Sequence, residues 1–438
     1  MLNSFQWISK DGKLLLTARI LRTFAYGFLS IIISIYLKLI GFDGFLIGLI
    51  LTSTLINSVI FTLVASFYAD RIGRRKMLVI YALLMAISGV IFFVTSNYIA
   101  LIVAGLIGTI NVTGTETGAF LSIEQAMLPQ TVKDTKKRNT LFAFYNMVGT
   151  FAMSAGVLVS GLPGIIQHQF GLSEIGSISP LFLLYSILGV AVLATYLLLS
   201  KKVELKGKAD KEAKAKAQVQ VQGGDLESDE KKKPRILKPL TQTLSPTSKK
   251  IVGKLSGLFA IDSFGGGFVI QSIVSLWFFT KFGADLTLLS YIFSIAGVLT
   301  AFSFLASAKI ADRIGLINTM VFTHIPSNIL LILVAFSPTL PIAVAFYLAR
   351  MALSQMDVPT RQSYIVAVVK EDERTAAAGI TNISRNITQA ISPSIAGSIL
   401  QSVSLLFAPF LLGGLLKIIY DIALFFSFKN TKPSDEKK

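Results

Sequence analysis

The chain has 438 residues, of which 53% are hydrophobic, and its mean hydropathy of +0.67 is high for a soluble protein. It contains no cysteine, so disulfides, thiol nucleophiles and cysteine metal sites are excluded. The formal net charge of +17 would suit a nucleic-acid partner, but we expect none, because most basic residues lie in connections between apolar segments.

Twelve apolar segments follow one another along the chain, each long enough to cross a hydrocarbon core of roughly 30 Å as a helix. The first carries Arg19 and Arg22 and lacks a small-residue cleavage site, so we interpret it as a retained helix rather than a signal peptide. We number the segments as spans 1 to 12, and they cover 14–39, 44–68, 77–95, 97–128, 140–164, 179–199, 254–280, 286–308, 317–336, 341–368, 375–400 and 406–428.

The basic residues are distributed unevenly between the two sides that these spans define. Most of the 41 lysine and arginine residues lie in alternate connections, whereas the intervening connections carry only Lys38 and Lys281. Because basic connections stay on the cytoplasmic side, the asymmetry predicts a multi-pass protein of the cell (plasma) membrane with both termini in the cytoplasm.

The composition changes in the middle of the chain. Residues 201–249 are basic, contain glycine and proline, and carry few large apolar side chains, so they cannot bury a core. We predict a flexible basic cytoplasmic linker there, either a solvated tether or a segment that touches anionic lipid. It separates an N-terminal six-helix bundle, 1–200, from a C-terminal one, 250–430, and 431–438 form a cytoplasmic tail.

A pentapeptide occurs twice, because Ala-Asp-Arg-Ile-Gly at 69–73 returns at 311–315. Each copy is a short polar turn between two apolar segments. Further matches follow in the same order at one constant spacing: Arg138 with Arg374, Asn146 with Asn382 and Gly161 with Gly397. The repeat indicates a duplicated membrane unit, which is typical of transporters.

The first turn continues as a run of bases, Asp70-Arg71-Ile72-Gly73-Arg74-Arg75-Lys76. It resembles the signature loop of the major facilitator superfamily, and Asp312-Arg313-Ile314-Gly315 resembles the weaker second copy of that loop. The resemblance implies an all-α membrane protein whose twelve transmembrane helices form two pseudo-symmetric six-helix bundles around a cavity that opens alternately to each side. The glycine that usually starts the signature is replaced by Ser66 and Ala308.

By the same resemblance, this loop and its copy form a cytoplasmic latch that holds the outward-open state; a solvated basic turn is the alternative. The latch would comprise Asp70, Arg71, Gly73, Arg74, Arg75, Asp312, Arg313 and Gly315. Span 5 lacks the proline-glycine signature of proton-coupled drug antiporters, which counts against drug export. The segment 354–364 resembles a prokaryotic branch of the superfamily with unassigned substrates.

Ionisable residues inside spans are costly to bury, so they mark paired or functional positions. Their depths predict two ion pairs in the cytoplasmic third of the membrane, Arg22 with Glu124 and Asp262 with Arg361. Each pair either ties neighbouring helices of one bundle together or forms an inner gate or a proton-coupling pair.

Two acids lie deeper, close to the bilayer midplane. Glu116 stands between two threonines in a segment with several glycines, and Asp357 comes just before Pro359, which frees backbone groups. Polar and irregular backbone at this depth is where transporter substrate sites form. Each acid is a candidate to carry a coupling proton, to bind a cationic group of a solute, or to make a hydrogen bond between helices.

The remaining polar residues of the spans leave the charge of the solute open. Arg350 and Arg385 are deep enough to bind a carboxylate or phosphate, or to neutralise a nearby acid. Lys417 and Asp421 are four residues apart and are expected to pair with each other. His324 is expected to be a hydrogen-bonded structural histidine rather than a proton relay. Further candidate cavity residues are Gln271, Asn146 and Asn382.

These features predict a secondary transporter that moves a small hydrophilic solute by alternating access, is driven by a proton gradient and works as a monomer in the lipid bilayer. The sequence has no phosphate-cradling Gly-x-x-x-x-Gly-Lys-Ser/Thr loop and no metal cluster at ligand spacing, so we expect no cofactor, no metal and no enzymatic activity. Two alternatives stay open: an exporter of amphipathic compounds or drugs, and a non-transporting membrane receptor on a transporter fold.

Overall fold

The computed structural model describes residues 7–116, 118–132, 138–200, 203, 244–370 and 373–429. Within these ranges the secondary structure is helical, apart from one isolated antiparallel bridge between Ile8 and Val132. Most of the predicted linker and the whole predicted tail, 431–438, lie outside the described residues.

The described helices follow the predicted spans in order and confirm the all-α fold. Spans 1 to 6 are Lys10–Leu39, Gly44–Ile72, Arg74–Val94, Tyr98–Ile107 with Ala119–Met127, Arg138–Val159 with Leu162–Phe170, and Glu174–Leu197. Spans 7 to 12 are Pro246–Gly267 with Gln271–Phe282, Leu286–Ile314, Leu316–Ala335, Leu340–Leu353 with Asp357–Ala367, Arg374–Ile399, and Ala408–Phe428.

Spans 4, 5, 7 and 10 are each built from two helices in the described chain, and the sequence explains two of these breaks. In span 4, Gly114 and Gly118 have φ values of +76° and +108°, which glycine adopts without strain. In span 10, the second helix begins at Asp357, so Pro359 lies in its first turn, where a missing N–H costs little. Span 7 begins at Pro246, inside the predicted linker, with the Ser245 side chain accepting a hydrogen bond at its start.

Nine helices of the described chain are long and apolar enough to cross a membrane, judged by length and composition. Spans 4, 10 and 11 fall outside that set. The first two are broken into short pieces, and the helix of span 11 is the least apolar of the long ones. Glu116 and Asp357 lie at the breaks of spans 4 and 10, and Arg385 lies on span 11.

The duplication visible in the sequence is repeated in local packing. Asp43 and Asp285 cap spans 2 and 8 alike, each accepting a hydrogen bond from the backbone N–H three residues later, at 2.8 and 2.7 Å. Spans 1 and 5 cross at Gly27, where a Cβ would lie 2.2 Å from a carbonyl oxygen of span 5. Spans 7 and 11 cross at Gly267, where a Cβ would lie 2.5 Å from a carbonyl oxygen of span 11. The two bundles therefore share one architecture.

The two bundles are joined on one side of the membrane region and have separate cores on the other. We call the side that holds the starts of spans 1 and 7 the basic face, and the other side the opposite face. One hydrophobic core near the opposite face includes side chains of both bundles, such as Leu29 and Trp277. Near the basic face each bundle has its own core, around Leu15 in the first and around Phe259 in the second.

Three helix pairs join the bundles near the opposite face: span 1 with span 7, span 2 with span 11, and span 5 with span 8. Spans 2 and 11 meet at Gly44 and Gly397, where a Cβ on either glycine would lie 2.1 Å from the carbonyl oxygen of the other. Spans 5 and 8 meet at Gly161, where a Cβ would lie 2.6 Å from the hydroxyl of Ser290. Glycine permits this close approach because it has no side chain to displace.

Hydrogen bonds reinforce this junction. The bonded pairs include Ser34 with Ser272, Lys38 with Thr280, Thr52 with Ser394, Ser275 with Ile31, and Ser294 with Ser154. Most of them use serine or threonine hydroxyls on backbone carbonyls, which satisfies polar groups where lipid and core offer no water.

Candidate functional site

A buried group of charges and tyrosines fills the basic half of the N-terminal bundle, and we call it the N cluster. Its members are Arg19 and Arg22 of span 1, Glu116 and Glu124 of span 4, Tyr145 of span 5 and Tyr196 of span 6. The structure places the predicted partners Arg22 and Glu124 in contact, with both terminal guanidinium nitrogens on the carboxylate at 3.0 and 2.7 Å. Neither side chain has exposed surface, so this is a fully desolvated bidentate pair.

The carboxylate of Glu124 is satisfied from three sides. Besides Arg22, the hydroxyl of Tyr196 donates to it at 2.6 Å, and the hydroxyl of Tyr145 donates to its other oxygen. The guanidinium of Arg22 also lies over the ring of Phe120, 4.5 Å from its centroid. Such complete pairing is what makes a buried charge tolerable.

Glu116 also belongs to this cluster and makes a contact between spans, which is one of the three roles expected for it. Its carboxylate accepts a hydrogen bond from Nε of Arg22 at 2.7 Å and forms an ion pair with Arg19. The described residues between Ile107 and Ala119 are not helical, and this break leaves Glu116 just before the second helix of span 4, beside span 1. Arg22 therefore bridges two acids, where the sequence predicted one.

A second group, the C cluster, fills the equivalent place in the C-terminal bundle. Its members are Asp262 of span 7, His324 and Asn328 of span 9, Asp357 and Arg361 of span 10, and Lys417 and Asp421 of span 12. Arg361 contacts Asp357 at 2.6 Å and Asp262 at 3.4 Å, so its predicted partner is its more distant one. The nearer partner of Asp262 is Lys417, at 2.6 Å.

The expected pair of Lys417 with Asp421 is wrong. Lys417 extends to Asp262 on span 7, whereas Asp421 accepts hydrogen bonds from span 9, from Nδ1 of His324 at 2.8 Å and from Nδ2 of Asn328 at 3.1 Å. The four-residue spacing makes a contact within one helix possible, but in a bundle core the neighbouring helices offer partners too. His324 is buried and hydrogen-bonded, as expected for a structural histidine.

The two deep arginines have no ion pair to an acid in the described part of the chain. Arg350 is 9% exposed and donates to the sulfur of Met351 at 3.3 Å, while its Nε is buried without a partner. Arg385 donates from Nε to the hydroxyl of Ser263 at 3.0 Å and is partly exposed. The ion-pair partner of Asp357 is Arg361, and Arg385 lies near enough to Asp262 and Asp357 to be attracted by both carboxylates without touching either in the described contacts.

The breaks of spans 4 and 7 meet in the middle of the molecule. The carbonyl of Val112 accepts hydrogen bonds from the backbone N–H and the hydroxyl of Ser272, at 3.1 and 3.2 Å. Beside them, Gln271 donates to the hydroxyl of Ser30 at 3.1 Å and occupies the space that a side chain at Gly114 would need. Gln271 is thus a polar contact between the bundles at the level of the unwound backbone.

A small pocket opens next to this break within the N-terminal bundle. Its polar lining includes Asn57, Ser58, Thr109, Asn111 and Thr113, together with Tyr26. Two other predicted cavity residues, Asn146 and Asn382, are exposed and are not members of either cluster.

The residues of the predicted latch lie at the basic face. Gly73 and Gly315 have φ values of +106° and +83° between spans 2 and 3 and between spans 8 and 9. Arg74 donates to the carbonyl of Ala126 at 2.9 Å, and Arg75 donates to the carbonyls of Tyr196 and Leu197 at the end of span 6. The remaining members Arg71, Asp312 and Arg313 are exposed, and the side chain of Asp70 lies outside the described residues.

Four partners in the clusters were missed by the sequence analysis, namely Arg19, Tyr145, Tyr196 and Asn328. Arg19 had a usable signal, since it precedes Arg22 by three residues and so shares its helix face. Asn328 follows His324 by four residues in the same way. Nothing in the sequence marked Tyr145 and Tyr196 as partners of a charge, because a tyrosine in an apolar span is compatible with packing alone. In the described residues, no group of three or more histidine and acidic side chains is arranged to hold a metal ion.

Comparison with known proteins identifies the family. The family model of the Major Facilitator Superfamily matches residues 15–393 and 263–438. This chain belongs to that superfamily. An uncharacterized membrane protein of Saccharomyces cerevisiae is 27% identical over 424 residues, which cover 96% of this chain and 94% of the relative.

Two further matches within the superfamily are named as proton symporters. The arabinose-proton symporter of Bacillus subtilis is 29% identical over 140 residues, which cover 31% of this chain and 30% of that protein. The crystal structure of a D-xylose-proton symporter superimposes with a TM-score of 0.69 at 15% identity, covering 98% of both chains. At this identity the structural match establishes the superfamily fold, not the solute.

Proposed function

We propose that the protein is a secondary active transporter that moves a small hydrophilic solute by alternating access, coupled to protons. It works as a monomer in the cell membrane, with the basic face and both termini in the cytoplasm. Its superfamily, the basic connections and the buried charge clusters support this function. The resemblance of 354–364 to a prokaryotic branch remains a prediction, since the relative that spans nearly the whole chain is a yeast protein.

The observation that carries the proposal is the uneven junction of the bundles. They share one hydrophobic core near the opposite face, whereas near the basic face each has its own core. This is the arrangement that one end state of an alternating-access cycle requires, with the cavity closed on one side. The charge clusters lie within each bundle, so each bundle can rock as a unit without exposing its charges to lipid.

Proton coupling is assigned to the two acids Glu116 and Asp357. Each is held by an arginine of its own cluster, Glu116 by Arg22 and Asp357 by Arg361. A proton can then replace the guanidinium when the bundle rearranges, which links protonation to conformation. The names of the arabinose-proton and D-xylose-proton symporters support a proton as the coupling ion.

The latch is proposed to act in the other half of the cycle. When the basic face closes, the exposed Arg71, Asp312 and Arg313 come to lie between the bundles and hold the outward-open state. Arg74 and Arg75 already fix the first copy of the loop to spans 4 and 6.

Proton movement in proteoliposomes tests the function. Purified protein is reconstituted with a pH-sensitive dye inside and challenged with sugars, organic acids, amino acids, phosphate and lipophilic cations. We expect a compound-dependent pH change that Glu116→Gln and Asp357→Asn abolish, because the neutral amides cannot exchange the proton. Glu174→Gln, a partly exposed position at the start of span 6, is the matched control and should leave the signal intact. Solute flux without a pH change would remove proton coupling, and binding without flux would favour a receptor.

Alternating access has a separate test at the junction of spans 2 and 11. Gly397→Leu should force the opposite face apart, because the new Cβ would lie 2.1 Å from the carbonyl oxygen of Gly44. Since the chain has no cysteine, Ser34→Cys provides a single buried reporter on that side, and its reaction with a maleimide should accelerate. Gly379→Leu, where a Cβ meets nothing within 4 Å, should leave the reaction slow. Equal reaction rates in both variants would contradict the mechanism.

A further inference from the structure

The charges embedded in the two bundles do not balance in the same way. In the N cluster, two arginines are matched by two glutamates. Embedded in the C-terminal bundle, four lysine and arginine side chains stand against three acids, and each acid is engaged inside the C cluster, by Lys417, by Arg361 or by the additional base His324. Two guanidinium groups, those of Arg350 and Arg385, have no carboxylate in ion-pair contact in the described part of the chain.

Arg350 is the more costly of the two. It is 9% exposed, and it is 10 residues from the start of span 10 at Leu340, roughly 15 Å into the membrane region. Its Nε is buried without a partner, and its hydrogen bond goes to a thioether sulfur, which is a weak acceptor. An arginine that served only to hold the bundle together would be paired, as Arg22 and Arg361 are.

Arg385 is anchored to span 7 through one of its three nitrogens. Its Nε is fixed by Ser263 at 3.0 Å, and the side chain is partly exposed although it lies 11 residues into span 11, again roughly 16 Å deep. A planar guanidinium held at one nitrogen presents the others as a fork for a carboxylate or phosphate. The break of span 10 just beyond Arg350, at 354–356, adds the irregular backbone that accompanies solute sites at this depth.

We propose that the transported solute is a small organic anion, and that Arg350 and Arg385 bind its carboxylate or phosphate group. This inference rests on the proposed transport function and names its substrate class. The empty carrier holds excess positive charge in its C-terminal bundle, and the solute supplies the missing negative charge. The cost of the two unmatched arginines is thus offset only when the solute is bound.

Binding is measured by thermal shift of the purified protein with compounds that share a skeleton and differ in charge. The probes are glucose, gluconate and glucose 6-phosphate, and ribose with ribose 5-phosphate. We expect an anionic member to raise the unfolding temperature and its neutral counterpart to leave it unchanged. Arg350→Gln and Arg385→Gln should each weaken that binding about tenfold or more, because a charged hydrogen bond is lost. The control Lys309→Gln, at an exposed lysine of span 8 outside the latch, should bind like the parent.

Comparing gluconate with the two sugar phosphates shows whether the site binds a carboxylate or a phosphate group. Arg350→Lys and Arg385→Lys keep the charge and lose the fork, so they should weaken binding less than the glutamine variants. Equal stabilisation by neutral and anionic members, a panel in which no anion stabilises, or glutamine variants that bind like the parent would each overturn the proposal.

A second measurement needs no ligand. Arg350→Met should raise the unfolding temperature of the empty protein, because it replaces an unmatched buried charge by an apolar side chain of similar length. Arg22→Met, which breaks a matched cluster, should lower it. A loss of stability in Arg350→Met as large as that in Arg22→Met would show that Arg350 is structural. If a neutral sugar is carried with protons, the proposed substrate class is wrong while the transport function stands. If an anion binds but is not carried across the membrane, the transport function is wrong while the anion site stands.

Discussion

The N cluster and the C cluster occupy equivalent places in the duplicated bundles, yet their charges are inverted. At the centre of the N cluster is a base, Arg22, held by Glu124 and Glu116. At the centre of the C cluster is an acid, Asp262, held by Lys417 and Arg361. Since span 1 corresponds to span 7 in the duplicated plan, the same helix carries the central charge in both bundles, with opposite sign.

The difference teaches that duplication conserved the position of the charge and not its sign. A buried cluster is tolerable with either sign at its centre, provided that neighbouring helices supply the complement. The N-terminal bundle meets that condition completely. The C-terminal bundle meets it for its acids but carries more bases than acids, so the two halves can have different tasks, with one holding its helices and the other binding a ligand.

The largest expected effect comes from breaking the centre of the N cluster. Glu124→Gln leaves Arg22 with one acid and should lower the free energy of unfolding by about 3–5 kcal/mol, the range found when a buried pair loses one partner. Denaturant unfolding of the purified protein in detergent measures it, with Glu174→Gln as the control. A loss below about 1 kcal/mol would mean that the cluster is already solvated.

An exchange of the two charges, Arg22→Glu with Glu124→Arg, should not restore stability. Glutamate at 22 would face Glu116, and an arginine at 124 would face the hydroxyls of Tyr145 and Tyr196, which now donate to a carboxylate. The double neutral variant, with glutamine at both positions, should lose less than the sum of the single changes because the two residues are in contact.

The sequence predicts the fold better than it predicts the contacts within the two clusters. Span lengths, basic connections and the repeated turn predict the bundles, because a bilayer admits few arrangements of apolar helices. The rotation of each helix about its axis is not visible in span lengths, and it decides which side chains meet. For that reason Arg22 and Glu124 could be matched by depth, whereas the contacts of Lys417 with span 7 and of Asp421 with span 9 were missed.

The unwound part of span 4 is a second case in which the sequence predicts the backbone but not the partner of a side chain. Its glycines were visible, and the irregular backbone around Glu116 was expected from them. The direction in which Glu116 points depends on where the second helix starts, at Ala119, and on the arginine that attracts it. A side chain's partner across a bundle is thus a property of packing, which a single sequence does not encode in its spacing alone.

A smaller effect is expected in the C cluster. Asp421→Asn keeps the size and one acceptor for Asn328 but removes the charge from the contact with His324, so it should cost about 1–3 kcal/mol, the range for hydrogen bonds to charged groups. Asp421→Leu should cost more, because it leaves both polar partners unsatisfied. Unfolding curves of the two variants, measured beside Glu124→Gln, rank the clusters. A loss in Asp421→Asn equal to that in Glu124→Gln would show that both clusters stabilise their bundles to the same degree.

The smallest effect should arise at the basic ends, where each bundle ties two spans together through one acid. In the N-terminal bundle Asp11 accepts hydrogen bonds from the backbone N–H of Ser200, at 2.9 Å, and from its hydroxyl. In the C-terminal bundle Glu373, just before span 11, accepts them from the hydroxyl of Ser248 and the backbone N–H of Ser245 at the start of span 7. These hydrogen bonds lower the pKa of Glu373 from its ordinary 4.5 to about 2, and the hydrogen bond from the Ser248 hydroxyl has the largest effect.

Because the pKa of Glu373 is lower in the folded protein than in the unfolded chain, its contribution to stability is present above pH 4.5 and is lost as the pH falls toward 2. Glu373→Gln should therefore lower the unfolding temperature slightly at neutral pH, and the difference from the parent should shrink through that window. The measurement is the unfolding temperature of both proteins at a series of pH values. A difference that stays constant down to pH 2 would mean that the glutamine variant loses packing or hydrogen-bond geometry rather than charge.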